Sequence, residues 1–238
     1  MKRLFLIAIV SVFASSYAQK QIKAKASLNS NYIITETGLY PEGIDYDFKN
    51  ERFVFGSMYK GAVYTMNSKG DISKFATSNK LVLPTGVYTD EIRNRLIVAN
   101  ADLGASEKSA AGGKSAGSVA SVSVFNLTTG KLIKEIDLKV FTPKAGACAN
   151  DVALDTKGNI YVTDSFSPII YKIDINYLPS VFANNPLFQP APGAFGLNGI
   201  VFHPDGYFLV AKTDSSKIFK VSLTNRTLNQ MFRWYTSL

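Results

Sequence analysis

Four side chains far apart in the sequence open the same short phrase. They are Glu42 in Pro41-Glu42-Gly43-Ile44, Thr85 in Pro84-Thr85-Gly86-Val87, Asn150 in Asn150-Asp151-Val152, and Asn198 in Leu197-Asn198-Gly199-Ile200. One carboxylate and two carboxamide carbonyls gathered about a common point make an all-oxygen donor set. That chemistry suits a hard divalent cation, Ca²⁺ first, with Mg²⁺ or Zn²⁺ as other occupants. Taken singly, each residue has an ordinary role, since a Glu can cap a turn and Asn-Gly or Asn-Asp occurs wherever a chain reverses. As a set at one repeat phase they point to a site, because converging oxygens without partners are costly to bury.

The elements that would position them recur as well. Residues 149–164 read as a strand, a turn at Asp155-Thr156-Lys157-Gly158-Asn159, and a second strand at Ile160-Tyr161-Val162-Thr163. Related hairpins begin at Glu42, Thr85 and Asn198, and each runs on into a third strand, with a fourth expected at Ile72-Ser73-Lys74-Phe75 and Leu132-Ile133-Lys134-Glu135-Ile136. Successive starts lie 43, 65 and 48 residues apart. A four-stranded repeat of about 40 to 50 residues is the pattern of a β-propeller blade. The expected blades cover about residues 40–78, 84–140, 148–188 and 196–238. The inner strand of each blade starts at one end of the central channel, so the four residues should form a ring around its mouth.

On Pro41-Glu42-Gly43-Ile44, Asn150-Asp151, Asn198-Gly199-Ile200 and the loop at residues 155–164, the chain resembles the six-bladed propellers of the senescence-marker-protein (regucalcin), gluconolactonase and luciferin-regenerating-enzyme family, with more distant similarity to paraoxonases. The resemblance covers residues 40–221. It implies an all-β fold of the six-bladed type, here truncated to about four blades. It also implies a divalent cation held by Glu42 and Asn198, with Asn150 as a third ligand or a substrate contact, and Thr85 and Asn100 as further substrate contacts. Such a cation polarises a lactone or ester carbonyl, or lowers the pKa of a bound water. The implied function is therefore an exported, metal-dependent hydrolase of small lactones or esters. The alternative is a non-catalytic propeller of the NHL type that binds a partner protein or glycan.

Two departures from the family stand out. The family also uses an Asp from a blade beyond the fourth, whereas this sequence reaches Leu238 at the end of its fourth repeat. The catalytic base is accordingly unassigned, with Asp214 a candidate near the mouth. Cys148 occupies a position where sugar-lactone members often carry Arg. The lone His203 sits in the turn His203-Pro204-Asp205-Gly206, so no His dyad or Ser-His-Asp set is available.

The remaining segments set the context. Met1-Lys2-Arg3, the apolar residues 4–13 and Ser16-Tyr17-Ala18 read as a signal peptide cleaved near Ala18, which implies a secreted or periplasmic protein. No later stretch is long and apolar enough to span a membrane. Without Lys2 and Arg3 the chain carries 24 basic against 18 acidic residues, a balance of +6. The lysines are dispersed, as expected of soluble β surfaces and not of a nucleic-acid footprint. Residues 19–39 read as a lead-in, with Tyr32-Ile33-Ile34 as an added outer strand. The Gly-, Ser- and Ala-rich insertion at residues 104–118 reads as a mobile loop, and residues 178–195, with four prolines, as an irregular connection.

Overall fold

The computed structural model describes residues 31–233, so the proposed signal peptide and most of the lead-in lie outside the described residues. Within them the chain forms four antiparallel sheets of four strands each. Blade 1 comprises β1 (Pro41–Asp47), β2 (Arg52–Ser57), β3 (Ala62–Asn67) and β4 (Ile72–Ala76). Blade 2 comprises β5 (Leu83–Asp90), β6 (Arg95–Ala101), β7 (Ala120–Asn126) and β8 (Leu132–Asp137). Blade 3 comprises β9 (Ala149–Leu154), β10 (Ile160–Asp164), β11 (Ile169–Ile173) and β12 (Pro179–Asn184). Blade 4 comprises β13 (Leu197–His203), β14 (Tyr207–Lys212), β15 (Lys217–Ser222) and β16 (Leu228–Arg233). In every blade the strands pair in sequence order. The inner strands β1, β5, β9 and β13 pack on one another in succession. The fold is a four-blade arc of a β-propeller.

Strand periodicity explains why the middle blades are apolar on both faces. Every residue of β6 is buried, with Leu96 and Val98 facing the seam with blade 1 while Ile97 and Ala99 face the seam with blade 3. A strand whose alternate residues serve two seams loses the apolar/polar alternation of a half-exposed strand. Blade 3 repeats this: Ile160 and Val162 pack toward blade 2, and Tyr161 packs against Phe182 and Phe208 toward blade 4. The end blades differ. Phe208 and Val210 of β14 are buried against blade 3, but Leu209 on the opposite face is half-exposed and its cross-strand partner Val201 is 57% exposed. The corresponding outer face of blade 1, with Phe55 and Tyr64, is covered by Leu39 and Tyr32 of the lead-in. No packing like that between successive inner strands joins β13 to β1 among the described residues.

Charged residues pin the end of the arc opposite the mouth. Arg95 pairs with Asp90 at 2.7 Å, both buried, and its Nη2 also donates to the Gly158 carbonyl of blade 3 at 3.0 Å. Arg52 pairs with Asp47 at 3.0 Å and donates to the Leu127 carbonyl of blade 2. Each guanidinium thus satisfies a buried carboxylate and ties its blade to the next.

The fourth strand of the expected four-stranded repeat is present in all four blades: β12 starts at Pro179, the first residue of an edge strand, where a missing N–H costs no ladder bond. Two expectations need correction. Tyr32-Ile33-Ile34 is not a strand; the Tyr32 ring packs edge-on against Phe53 at 6.0 Å, and Ile33 is 89% exposed. The insertion at residues 104–118 is fastened instead of loose. Lys108 Nζ donates to the carbonyls of Gly61 (2.6 Å), Leu81 (2.9 Å) and Ser78 (3.1 Å) and to Thr77 Oγ1 (3.1 Å), bridging blades 1 and 2. Asp102 accepts from the Gly104 amide and the Ser109 hydroxyl, and Gly117 bonds to Asp102 and Ala147. The small residues supply little burial, but a lysine ammonium with four oxygen acceptors holds the segment.

The arc depends on close approach at the axis. A Cβ on Gly86 would lie 2.7 Å from the Asp151 Cα and 2.8 Å from the Asn150 carbonyl, both backbone. Gly86→Ala is therefore expected to destabilise the protein by about 1–3 kcal/mol through overpacking, read as a lower urea midpoint. Wild-type stability in that variant would mean that the inner strands do not meet there.

Candidate functional site

A β-bulge sits at the same phase of every inner strand. On β5, Thr85 and Gly86 together oppose Ala99; on β9, Asn150 and Asp151 oppose Thr163; on β13, Asn198 and Gly199 oppose Ala211. On β1 the extra residue is Gly43, beside Glu42. Two residues against one release a stretch of strand from the ladder and re-aim its side chains. The bulges also bring the strands together. The space a Gly43 Cβ would need is filled by the Thr85 carbonyl, that at Gly86 by Asn150 and Asp151, and that at Gly199 borders the Asp151 carboxylate. The bulged backbones at the four expected ring positions therefore approach one another from strand to strand at the mouth of the arc.

Their side chains have different fates. Thr85 is buried and its hydroxyl donates to the Ala149 carbonyl at 2.8 Å, so it ties blade 2 to blade 3. Asn100 is fully buried: its Oδ1 accepts from the Val82 and Leu83 amides, and its Nδ2 donates to the Lys80 carbonyl and Ser121 Oγ. Those four bonds exhaust an amide's capacity, which leaves Asn100 a structural clasp and not a substrate contact. Glu42, Asn150 and Asn198 are different. None is fully buried, and among the described residues none of their side chains makes a hydrogen bond or ion pair with the protein. The three oxygen donors expected at a cation site are the three left unengaged.

A fourth oxygen group, passed over in the sequence, lies among them. Asp151 follows Asn150 in the bulge, and its Oδ2 accepts the Ile200 amide of blade 4 at 3.0 Å. Burial raises its pKa, with the Ile200 and Val152 amides opposing the shift. Glu42 is raised too, by partial burial first and then by the negative charge of Asp151 across the mouth. The signal for Asp151 was present in the sequence. It alone stands where the other three repeats carry Gly43, Gly86 and Gly199. Below it, Asp151 helps line a channel cavity of about 290 Å³ bounded by Ile44, Val87, Val152 and Ile200 from all four inner strands.

The remaining candidates are committed elsewhere. Cys148 is fully buried, and burial first, then the Asp164 charge, pushes its thiol up to about 12, so no thiolate is available for attack. Asp214 lies in the 3-10 turn Thr213–Ser215, paired with Lys212 and accepting the Ala191 amide at 2.8 Å. Burial alone would raise its pKa, but those bonds outweigh it and hold the carboxyl low. His203 stacks on Tyr207 at 4.3 Å in the β13–β14 turn, at the opposite end from the mouth. Among the described residues no cluster of three or more His, Cys, Asp or Glu side chains is arranged for a metal, so any cation at the mouth would rely on carboxamide oxygens as well.

No protein-family model matches the chain, and no curated protein matches it in sequence. Solved structures match its fold. Virginiamycin B lyase from Staphylococcus aureus aligns with a TM-score of 0.62 at 15% identity, over 88% of this chain and 62% of that one. The Malassezia sympodialis allergen Mala s 1 aligns with a TM-score of 0.61 at 20% identity, over 81% and 63%. A protein described as a putative gluconolactonase aligns with a TM-score of 0.55 at 13% identity, over 80% and 62%. At such identities the likeness shows the propeller fold alone. The chain spans less than two thirds of the length of each of these proteins.

Two outcomes follow from the site. A carboxyl whose pKa is raised on folding favours the folded state at low pH and penalises it as the pH climbs from its ordinary value of 3.8 through the raised one. Asp151→Asn keeps an acceptor for the Ile200 amide and removes the charge. Its unfolding free energy should therefore fall less than that of the wild type between pH 4 and pH 7; parallel slopes would mean that Asp151 is not the strained group. Asn100→Ala, which orphans buried backbone amides, should lose about 2–4 kcal/mol in thermal unfolding, whereas a residue serving only substrate would leave the melting temperature unchanged.

Proposed function

We propose that the mouth of the arc binds a hard divalent cation, Ca²⁺ first, and that the protein uses it to hydrolyse a small lactone or ester. The observation that carries the reading is the contrast at the ring: Thr85 and Asn100 are saturated by protein partners, while Glu42, Asn150 and Asn198 are left unengaged around a negatively charged mouth. The residues fit such an ion. Their donors are all oxygen, and a cation between Glu42 and Asp151 would offset the Asp151 charge that, after burial, raises the Glu42 pKa.

Glu42, Asn150 and Asn198 would hold the cation, with Asp151 contributing negative potential from its seat against the Ile200 amide. The bound cation would supply Lewis-acid polarisation of the carbonyl under attack and a lower pKa for a bound water. The chain's own part is positional. The bulges set the donors at one level, and the close-packed glycines keep that level rigid. The comparison with a putative gluconolactonase lends support through shared fold, and the lyase neighbours share that fold as well. Under the signal-peptide reading this activity would be exerted outside the cytoplasm.

Calcium titration by calorimetry tests the proposal directly. Wild-type protein should bind Ca²⁺, and Glu42→Gln, which removes the one charged ligand, should weaken it by about tenfold or more. Equal binding by both, or none by the wild type, removes the cation and leaves the NHL-like binding propeller as the reading.

A further inference from the structure

At the rim of the mouth, on the blade 3 and blade 4 side, an apolar shelf opens beside the proposed cation site. Its floor is the Phe166 and Phe195 rings, whose centroids lie 5.3 Å apart at a tilt of 38°. Together with Pro190, Ala191 and Pro192 they bound a cavity of about 500 Å³. Gln189 carries the one polar side chain in the lining, and no charged residue contributes.

The shelf is a built feature. The Phe166 amide donates to Asp164 Oδ1 at 2.8 Å. The Phe195 carbonyl accepts the Asp214 amide at 3.2 Å, and the next residue, Gly196, bonds to Ser165 and Thr213 on either side. Asp214, already held by Lys212, also accepts the Ala191 amide, so it organises the shelf wall. Gly117 and Gly146, having no side chains, leave the edge of the Phe166 ring uncovered on their side: a Cβ on Gly117 would stand 3.7 Å from the ring and one on Gly146 3.6 Å. Phe195 remains 43% exposed although its backbone is fixed. It lies three residues before Asn198, about 10 Å at most along an extended chain.

We propose that this shelf receives a flat apolar group of the substrate, an aryl ring above all, so that the mouth takes aryl-substituted esters or lactones and not polyhydroxylated sugar lactones. This rests on the reading of the mouth as an ester or lactone site. Two prolines and two phenylalanines offer CH and π faces for stacking. A sugar lactone would bring several hydroxyls to a wall with one polar side chain, leaving them desolvated without partners. Cys148, two residues before Asn150, is fully buried and un-ionised and offers such hydroxyls no charged partner.

Two neutral probes that resist hydrolysis separate these classes: phenylacetamide and gluconolactam, titrated by NMR against the full chain with and without Ca²⁺. Phenylacetamide should bind the metal-free protein, about three- to tenfold more weakly after Phe195→Ser, and more weakly again with Phe166→Ala added. Phe195→Trp, which enlarges the stacking face, should retain or tighten binding and guards against mistaking misfolding for lost contact. Glu42→Gln should leave metal-free phenylacetamide binding unchanged. Loss of the Ca²⁺ response with phenylacetamide binding intact would therefore unseat the cation alone and uphold the shelf. Tighter binding of gluconolactam than of phenylacetamide, or phenylacetamide affinity indifferent to both ring substitutions, overturns the proposal.

Discussion

Everything at the mouth depends on how near the inner strands come to the axis. Four strands can meet at one level only if something other than a side chain fills the space between them. Gly43 and Gly86 meet that condition by having no Cβ, and their neighbours' backbones occupy the vacated volume. The bulges follow from the same crowding. A regular ladder would aim Thr85, Asn150 and Asn198 by simple alternation, whereas two-against-one pairing turns them out of register, toward the channel end.

Asp151 is the exception that makes the site chemical. A carboxylate placed where three sister repeats have glycine is costly, and the raised pKa of both Asp151 and Glu42 records that cost. One amide hydrogen bond, from Ile200, offsets part of it. The surrounding blades supply the rest of the stability through seams packed on both faces and through Arg52 and Arg95, which tie neighbouring blades at the far end. A strained acid set in a rigid frame is the usual physical form of a functional site. Here the strain lies at the mouth, while the well-satisfied pairs lie opposite.

Much of this was legible in the linear chain. Turn residues and alternating apolar runs, recurring at 43 to 65 residues, mark four blades, and the structure has four four-stranded sheets. The two outer strands β12 and β16 were harder to see. Pro179 and the polar Leu228-Asn229-Gln230 stretch carry weak strand preference, and only pairing with β11 and β15 makes them strands. Composition misled at residues 104–118, because no scale of small polar residues anticipates that Lys108 will find four oxygens in blade 1 and in the segment that joins it to blade 2. Ring phase placed Glu42, Thr85, Asn150 and Asn198 at the bulges of the inner strands, but it could not separate those with unengaged oxygens from those already bonded.

What the sequence by itself determined is the repeat: strand lengths, turn positions and the phase at which oxygen-bearing residues recur, all of which are local consequences of backbone preference and period-two burial. The tertiary structure alone decided which side chains remain available. Hydrogen-bond partners of Thr85 and Asn100 come from segments up to 64 residues away, and the neighbours that crowd Asp151 lie on two other blades. Saturation and desolvation are properties of the assembled mouth, created only when distant strands exclude water and bring their own donors to it.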